Sequence, residues 1–432
     1  MEYNDYLKNK REYQEIGHLL LLERKHACLF YKPGKGKTYP CIDAIRDIDK
    51  AKGGKAKVLI LSTADAIRNM WNVDIVPQKI LPENTVLMTF NSAIVEATKS
   101  QLVRVKWDIL VIDESHKIKA HNSKTSKLVY MLSKKTEYVF GLTGTPRGNN
   151  DLDIFCQFHN MCIGEWGKIT YTQFVNQCCD LDTQFFRGQA IKVPIGINRR
   201  YTAGWEKNIS MFTQRVDYDE EDEMPDLKVN LVELDYVPTK EYLQAEQGVI
   251  QLSEYESTLN KLSAVQKLHQ IVNGFVYIPD ESDYTCIKRK IVDIEHNKKL
   301  DWIKQNITNE PTVIVYRFEA DFNNIICTLD SIGIKYTENV DDFKAGKARV
   351  LMLQCARCES FNLQMCNRII FYTLDYSYIK YNQMIHRVWR MGQESDVQID
   401  VLIFKDTVES KIWNAVQNKE KFAELFMSIK GV

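Results

Sequence analysis

The chain has 432 residues, 44% of them hydrophobic and 26% charged, which is the balance of an ordinary soluble globular protein. A single hydrophobic core stops growing near roughly 250–300 residues, so this length implies two or three domains. Formal net charge is zero, from 57 basic and 57 acidic residues, which excludes a bulk positive field; a nucleic-acid partner has to be met by a local basic cleft.

The basic clusters at Lys50–Lys57, Lys117–Lys127 and Lys288–Lys290 read first as solvated loops. Eleven cysteines are scattered through apolar segments, as at Cys327 and Cys366, and read as small buried hydrophobes in a reducing compartment. Cys355 and Cys358 form a CxxC without a second pair at zinc spacing, so no structural metal is expected. Met1 to Arg11 is polar and charged, unlike a signal peptide, and no apolar run approaches the roughly 18–20 residues that span a bilayer. A soluble, cytoplasmic protein without a membrane partner is the expectation.

In chain order, apolar or β-branched runs at Ala27–Tyr31, Lys57–Ser62, Val86–Phe90, Ile109–Asp113 and Tyr138–Leu142 predict strands of a parallel sheet covered on both faces. Helical spacing between them, as in Ala64–Ile75, gives repeated βαβ units. The first strand runs into Lys32-Pro33-Gly34-Lys35-Gly36-Lys37-Thr38 and then a helical pattern. A glycine loop between strand and helix lets backbone N–H groups wrap a triphosphate at a positive dipole end. Gly34, Lys35 and Gly36 would form that cradle for ATP, Lys37 would reach the β- and γ-phosphates, and the Thr38 hydroxyl would ligate Mg²⁺. Tyr31 stands where such loops usually have their first glycine.

Four aliphatic residues, Ile109 to Ile112, end in Asp113-Glu114-Ser115-His116. Carboxylates at the carboxyl end of a parallel strand face the crevice where such sheets bind ligands. Asp113 would hold Mg²⁺, and Glu114 could accept a proton from the attacking water. The next strand ends in Gly141-Leu142-Thr143-Gly144-Thr145-Pro146, whose hydroxyls at Thr143 and Thr145 read as a coupling element that senses the phosphates.

From Arg147 to about Lys290 the pattern is mostly helical or irregular, for example Glu241–Val272, and the acidic stretch Asp217–Asp226 marks the region where the chain crosses between lobes, near 217–240. Strands return at Thr312–Tyr316, Arg349–Leu353, Arg368–Thr373 and Ile399–Phe404. The expected organisation is an α/β lobe over 1–146, a mostly helical insert over 147–290 and a second α/β lobe over 291–432. Tyr381 to Arg390 reads as a helix stopped by Gly392, with Gln383, Arg387 and Arg390 at i, i+4 and i+7 on one face. Met384, Val388 and Met391 form the apolar stripe beside it. Arginine forks on one face suit the charge spread over a γ-phosphoryl group.

This ordered set resembles superfamily 2 helicases and, within them, the Swi/Snf-like ATPases, over nearly the whole chain. Asp113-Glu114-Ser115-His116 is similar to the family's DExH box, Leu142-Thr143-Gly144-Thr145-Pro146 to its LTGTP motif, and Gln383 through Gln393 to its QxxxRxxRxGQ motif. The resemblance implies two RecA-like lobes, with Gln14 as an adenine-recognising glutamine and Lys37, Asp113, Glu114, Gln383, Arg387 and Arg390 as the catalytic set. It further implies nucleic-acid contacts at Ser62, Thr63, Arg68, Thr89 and Asn91 in the first lobe, and at Tyr316, Arg317 and Asn362 in the second. The stretch Arg357 to Leu363 departs from the family pattern in having no glycine. No reader module, nuclease or tail domain is recognisable, which gives the expectation of a bare monomeric motor, similar to the branch-migration and fork-remodelling helicases of large phages. The implied partner is single-stranded, forked or branched DNA, with RNA second. The rival expectations are a duplex translocase without strand separation and an ATP-binding switch without turnover.

Overall fold

The computed structural model describes residues 2–147, 151–186, 189–218, 224–252, 255–258, 261–279, 289–295, 297–357, 363–390 and 392–418. The chain divides into two compact units, Met1–Asp222 and Glu223–Val432, and the division falls inside the acidic stretch read as the crossing. Each unit is built on a six-stranded, all-parallel sheet.

In the first unit the strands lie in the order Thr85–Thr89, Val58–Ser62, Ile109–Asp113, Tyr138–Leu142, His26–Tyr31 and Thr213–Val216. Successive residues of the inner strands point to opposite faces and both faces are dry. Phe30, Leu59, Leu61, Leu110 and Ile112 join one apolar cluster, while Leu29, Val58, Ile60, Ile109 and Val111 join another on the opposite face. The near-continuous aliphatic runs exist because neither face meets water. The Thr85–Thr89 strand is an edge, half-buried rather than dry, so it is less apolar than its neighbours. The sheet order brings the carboxyl ends of four adjacent strands side by side, at Ser62, Asp113, Leu142 and Tyr31. Ligands of open parallel sheets bind along such an edge.

In the second unit the order is Tyr336–Thr337, Val350–Gln354, Thr312–Tyr316, Arg368–Phe371, Val397–Phe404 and Leu227–Leu234. Again the alternation is two-sided: Val313, Val315, Leu351 and Leu353 face one cluster, and Ile314, Val350, Met352 and Leu402 face another.

The section from 147 to 290 carries helices, as expected, at Leu152–Asn160, Tyr171–Cys178, Arg199–Phe212, Lys240–Glu246 and Lys261–Val272. It also carries antiparallel pairs that its sequence did not announce. Cys179–Phe186 pairs with Gln189–Ile197, Val249–Leu252 with Tyr255–Thr258, and Phe275–Pro279 with Arg289–Asp293. The run Glu241–Val272 is therefore two helices separated by a hairpin rather than one helical stretch. Cys366 is buried as read, but Cys327 is exposed: it lies on the outer side of the Glu319–Ser331 helix, where a cysteine needs no burial. Among the described residues, no helix is long and apolar enough to cross a membrane.

Candidate functional site

The fully buried end of the His26–Tyr31 strand delivers the chain into the glycine loop, and the 14-residue helix Thr38–Ala51 leaves it. Gly34 and Gly36 hold φ at 90° and 70°, a backbone that side-chain-bearing residues rarely adopt, and a Cβ on Gly36 would sit 2.7 Å from Gln14 Nε2. Gln14 itself is 7% exposed. Its Oε1 accepts from Arg11 N at 3.0 Å and its Nε2 donates to Lys35 O at 3.5 Å, so the helix Glu12–Arg24 braces the loop through this amide. Lys35 contributes its main chain to the loop. Its side chain is 1% exposed, with Nζ 5.5 Å from the Tyr13 ring centroid. Tyr31, in the place of the usual glycine, sets its hydroxyl against Tyr13 O at 2.9 Å and against Gln214 Oε1.

Asp113 ends its strand only 3% exposed, with Oδ2 accepting from Ser62 Oγ at 2.7 Å and from the Trp71 indole N–H at 3.0 Å. Burial, then the neighbouring Glu114 charge, pushes its carboxyl above the ordinary range, against the pull of Lys37 and the two donors. A carboxylate desolvated to this degree beside a second one fits a bound divalent cation, whose charge would offset both effects. Thr38, first residue of the helix, supplies the hydroxyl that the sequence assigned to Mg²⁺.

Glu114 is held at φ 57° and ψ 57°, left-handed for a residue with a long side chain. Its Oε1 lies 3.7 Å from Lys37 Nζ, and its Oε2 accepts from Thr143 Oγ1 at 3.3 Å. Thr143 Oγ1 in turn accepts from Thr145 N at 3.1 Å and lies 3.0 Å from His116 Nδ1. His116 Nδ1 lies 3.2 Å from Glu114 Oε2 as well, so the hydroxyl, the imidazole and the carboxylate meet at one point. Gly144 lets this turn close on the glycine loop, since a Cβ there would stand 3.1 Å from both Tyr31 O and Pro33 Cδ. Thr145 Oγ1 is buried without a partner among the described residues. Lys37, Glu114, His116, Thr143 and Thr145 thus form one connected set, with Asp113 beside it. Gln157, unmarked in the sequence, ties the same region together: its Oε1 accepts from Ser115 Oγ at 2.8 Å and its Nε2 donates to Pro146 O at 2.7 Å.

In the second unit the expected arginine helix spans Tyr378–Val388, capped by Ser377. Met384 and Val388 are fully buried against the sheet, while Met391 lies outside the described residues. Gln383 is 5% exposed and its Oε1 is buried without a partner among the described residues. Arg387 is half-buried on the helix. Arg390 does not continue that helical face: Trp389 turns extended, at φ −87° and ψ 96°, and donates its indole N–H to Pro225 O at 2.7 Å. Arg390 sits in the turn before Gly392, whose φ is 88°.

The residues read as nucleic-acid contacts divide. Arg68 and Asn91 are exposed, and Thr63 and Thr89 are half-buried residues capping short helices through their hydroxyls. Ser62 is fully buried and spent on Asp113, so it is corrected to a support of the carboxylate. Tyr316 is likewise corrected. It is 5% exposed in the core, with its hydroxyl on Glu338 Oε1 at 3.1 Å. Arg317 pairs with Asp375 Oδ2 at 2.7 Å and stacks 4.1 Å from the Tyr376 ring centroid. Asn362 lies outside the described residues.

Comparison with known proteins places two family models on the chain. The SNF2-related domain matches residues 76–184, beginning after the glycine loop, and the helicase conserved C-terminal domain matches residues 305–392, which include Gln383, Arg387 and Arg390. An ATP-dependent helicase of Bacillus subtilis is 24% identical over 94% of this chain and 76% of its own length. The protein p41 of Acyrthosiphon pisum secondary endosymbiont phage 1 is 22% identical over 96% of this chain and 97% of its own. The solved SWI2/SNF2 ATPase core of Sulfolobus solfataricus in complex with dsDNA aligns over 98% of this chain and 92% of that one, at 19% identity and a TM-score of 0.39.

Proposed function

We propose, from the premise that this chain belongs to the Swi/Snf-like ATPases of helicase superfamily 2, that it couples ATP hydrolysis to movement along DNA and remodels forked or branched DNA. The observation that carries the reading is the set on the edge of the first sheet: Lys37 and Glu114 3.7 Å apart, Asp113 beside them, and Glu114 hydrogen-bonded to Thr143 of the following strand-end turn. Bound Mg²⁺, held by Asp113 and Thr38, would supply charge neutralisation at the phosphate oxygens. Lys37 turns from Glu114 to the β- and γ-phosphates when nucleotide enters, which frees Glu114 to orient the attacking water and take its proton. Thr143 transmits that change to the turn carrying Thr145. Gln383, Arg387 and Arg390 are the residues of the second unit that the family resemblance marks for the γ-phosphoryl charge, and alternating grip on one strand's phosphates is the proposed source of movement. Because such grip is sequence-independent, binding is expected to weaken steeply with salt.

Strand separation, rather than plain translocation along duplex, is favoured by one element. The antiparallel pair Cys179–Phe186 and Gln189–Ile197 is the element we propose to divide the strands. Its base is fixed, since Asn198 N donates to Cys178 O at 2.8 Å and Asn198 Nδ2 to Asp180 Oδ1 at 2.6 Å. Replacing 181–195 with a short glycine-serine turn is expected to leave DNA-stimulated ATP hydrolysis in place and abolish displacement of a labelled strand from a fork or a four-way junction. Unchanged displacement removes the hairpin from the mechanism. Wild-type protein that hydrolyses ATP on duplex but displaces no strand is a translocase.

A further inference from the structure

We propose that the segment from Ser62 to Ile75 is a relay that positions Asp113 when nucleic acid binds on its outer side, with Ser62 and Trp71 as the positioning residues. The inference rests on the motor reading above and adds a route by which DNA governs turnover. Two donors from this one segment converge on a single oxygen, Asp113 Oδ2: Ser62 Oγ at 2.7 Å and Trp71 Nε1 at 3.0 Å. Both donors are fully buried. Between them in sequence stand Thr63 and the exposed Arg68, two of the residues read as nucleic-acid contacts.

The backbone explains how one short segment faces both ways. After the Thr63 cap and a three-residue helical turn, Ile67–Ile75 forms a nine-residue π-helix. Such helices are rare, appear mostly as single-turn bulges inside α-helices, and are frequent at functional sites. In an α-helix residues three apart share a face. The wider π turn separates them, so Trp71 lies in the core with Ile75 and Val111 while Arg68 is exposed. A hydrogen bond from Trp71 to any buried acceptor would satisfy its indole. Placing two buried donors of this segment on the one oxygen of the aspartate joins the outer face to the site, because a shift of the π-helix that carries Trp71 cannot leave Oδ2 undisturbed.

The test uses the full chain. Trp71→Phe keeps an aromatic ring and removes the N–H; Ser62→Ala removes the second donor with less change in volume, should the first variant fold poorly. Each is expected to lower the ratio of DNA-stimulated to unstimulated ATP hydrolysis roughly tenfold or more, the size of one lost hydrogen bond to a charged acceptor. With Arg68→Ala added to either, the ratio is expected to fall no further. Independently of turnover, the intrinsic fluorescence change on adding forked DNA without nucleotide is expected to lose a component in Trp71→Phe. Full DNA stimulation in both variants overturns the relay and leaves the motor reading intact. A wild-type protein that no nucleic acid stimulates overturns the motor reading itself, and the relay with it.

Discussion

Glu114→Gln is expected to slow ATP hydrolysis by about 10²–10⁴-fold, the contribution typical of a positioned general base, while nucleotide binding survives. The substitution is close to isosteric, and the amide oxygen can still accept from Thr143 Oγ1, which now lies 3.3 Å from Glu114 Oε2. What it removes is the basicity and the charge 3.7 Å from Lys37 Nζ. The backbone at Glu114 is held left-handed, so the side chain is aimed by its main chain as well as by its partners. Single-turnover hydrolysis alongside binding of a fluorescent nucleotide separates the two effects. Hydrolysis at the wild-type rate removes Glu114 as the base.

The second large effect is expected far from the nucleotide motifs, in the core of the second unit. Lys299, fully buried, donates to Glu409 Oε1 at 2.6 Å, Asn273 Oδ1 at 3.1 Å and Tyr372 O at 2.8 Å. His269 Nε2 lies 3.4 Å from the same Glu409 oxygen. Glu409→Gln leaves the ammonium without its counter-charge, and breaking a buried pair from one side costs about 3–5 kcal/mol. Urea unfolding of the second unit reads this directly, and a loss under about 1 kcal/mol, the scale of an exposed pair, would contradict it. Burial alone would raise the Glu409 carboxyl, but Lys299 and His269 overcome it and hold it down to about 2, from an ordinary 4.5. The sign follows. A depressed folded-state value contributes stability above pH 4.5 that is lost as pH falls toward 2. The variant is expected to lack that part of the acid destabilisation.

The inner strands were legible because a strand dry on both faces can hold little but aliphatic residues, and Ile109–Asp113, Tyr138–Leu142 and Thr312–Tyr316 begin and end where their composition says. The glycine loop, the paired acids and the threonine turn were legible because each follows such a strand, and sheet order then sets them side by side. Edges were not legible. Thr213–Val216, a polar tetrapeptide, is a strand only because His26–Tyr31 offers it a partner. Side-chain direction was not legible either: Ser62 and Tyr316 sit at strand ends, where sequence alone does not distinguish a hydroxyl turned to a phosphate from one turned inward to Asp113 or Glu338. The arginine helix, read over Tyr381–Arg390, runs over Tyr378–Val388; its end was read two residues too late because nothing local marks the bond from Trp389 to Pro225, 164 positions away, that ends it. Trp71 left no signal at all. Its partner is 42 residues distant and its helix type has no known sequence pattern in this chain.

ATP turnover at this site is proposed to be governed by DNA. Steady-state hydrolysis without nucleic acid, and then with single-stranded DNA, duplex, forked DNA and RNA, tests it with Lys37→Ala as the blank. The expected result is a low rate alone, strong stimulation by DNA that is largest on forks or junctions, and none in Lys37→Ala. Rates above the blank that no nucleic acid alters would rule out control of turnover by DNA, and rates equal to the blank would leave an ATP-binding switch without turnover.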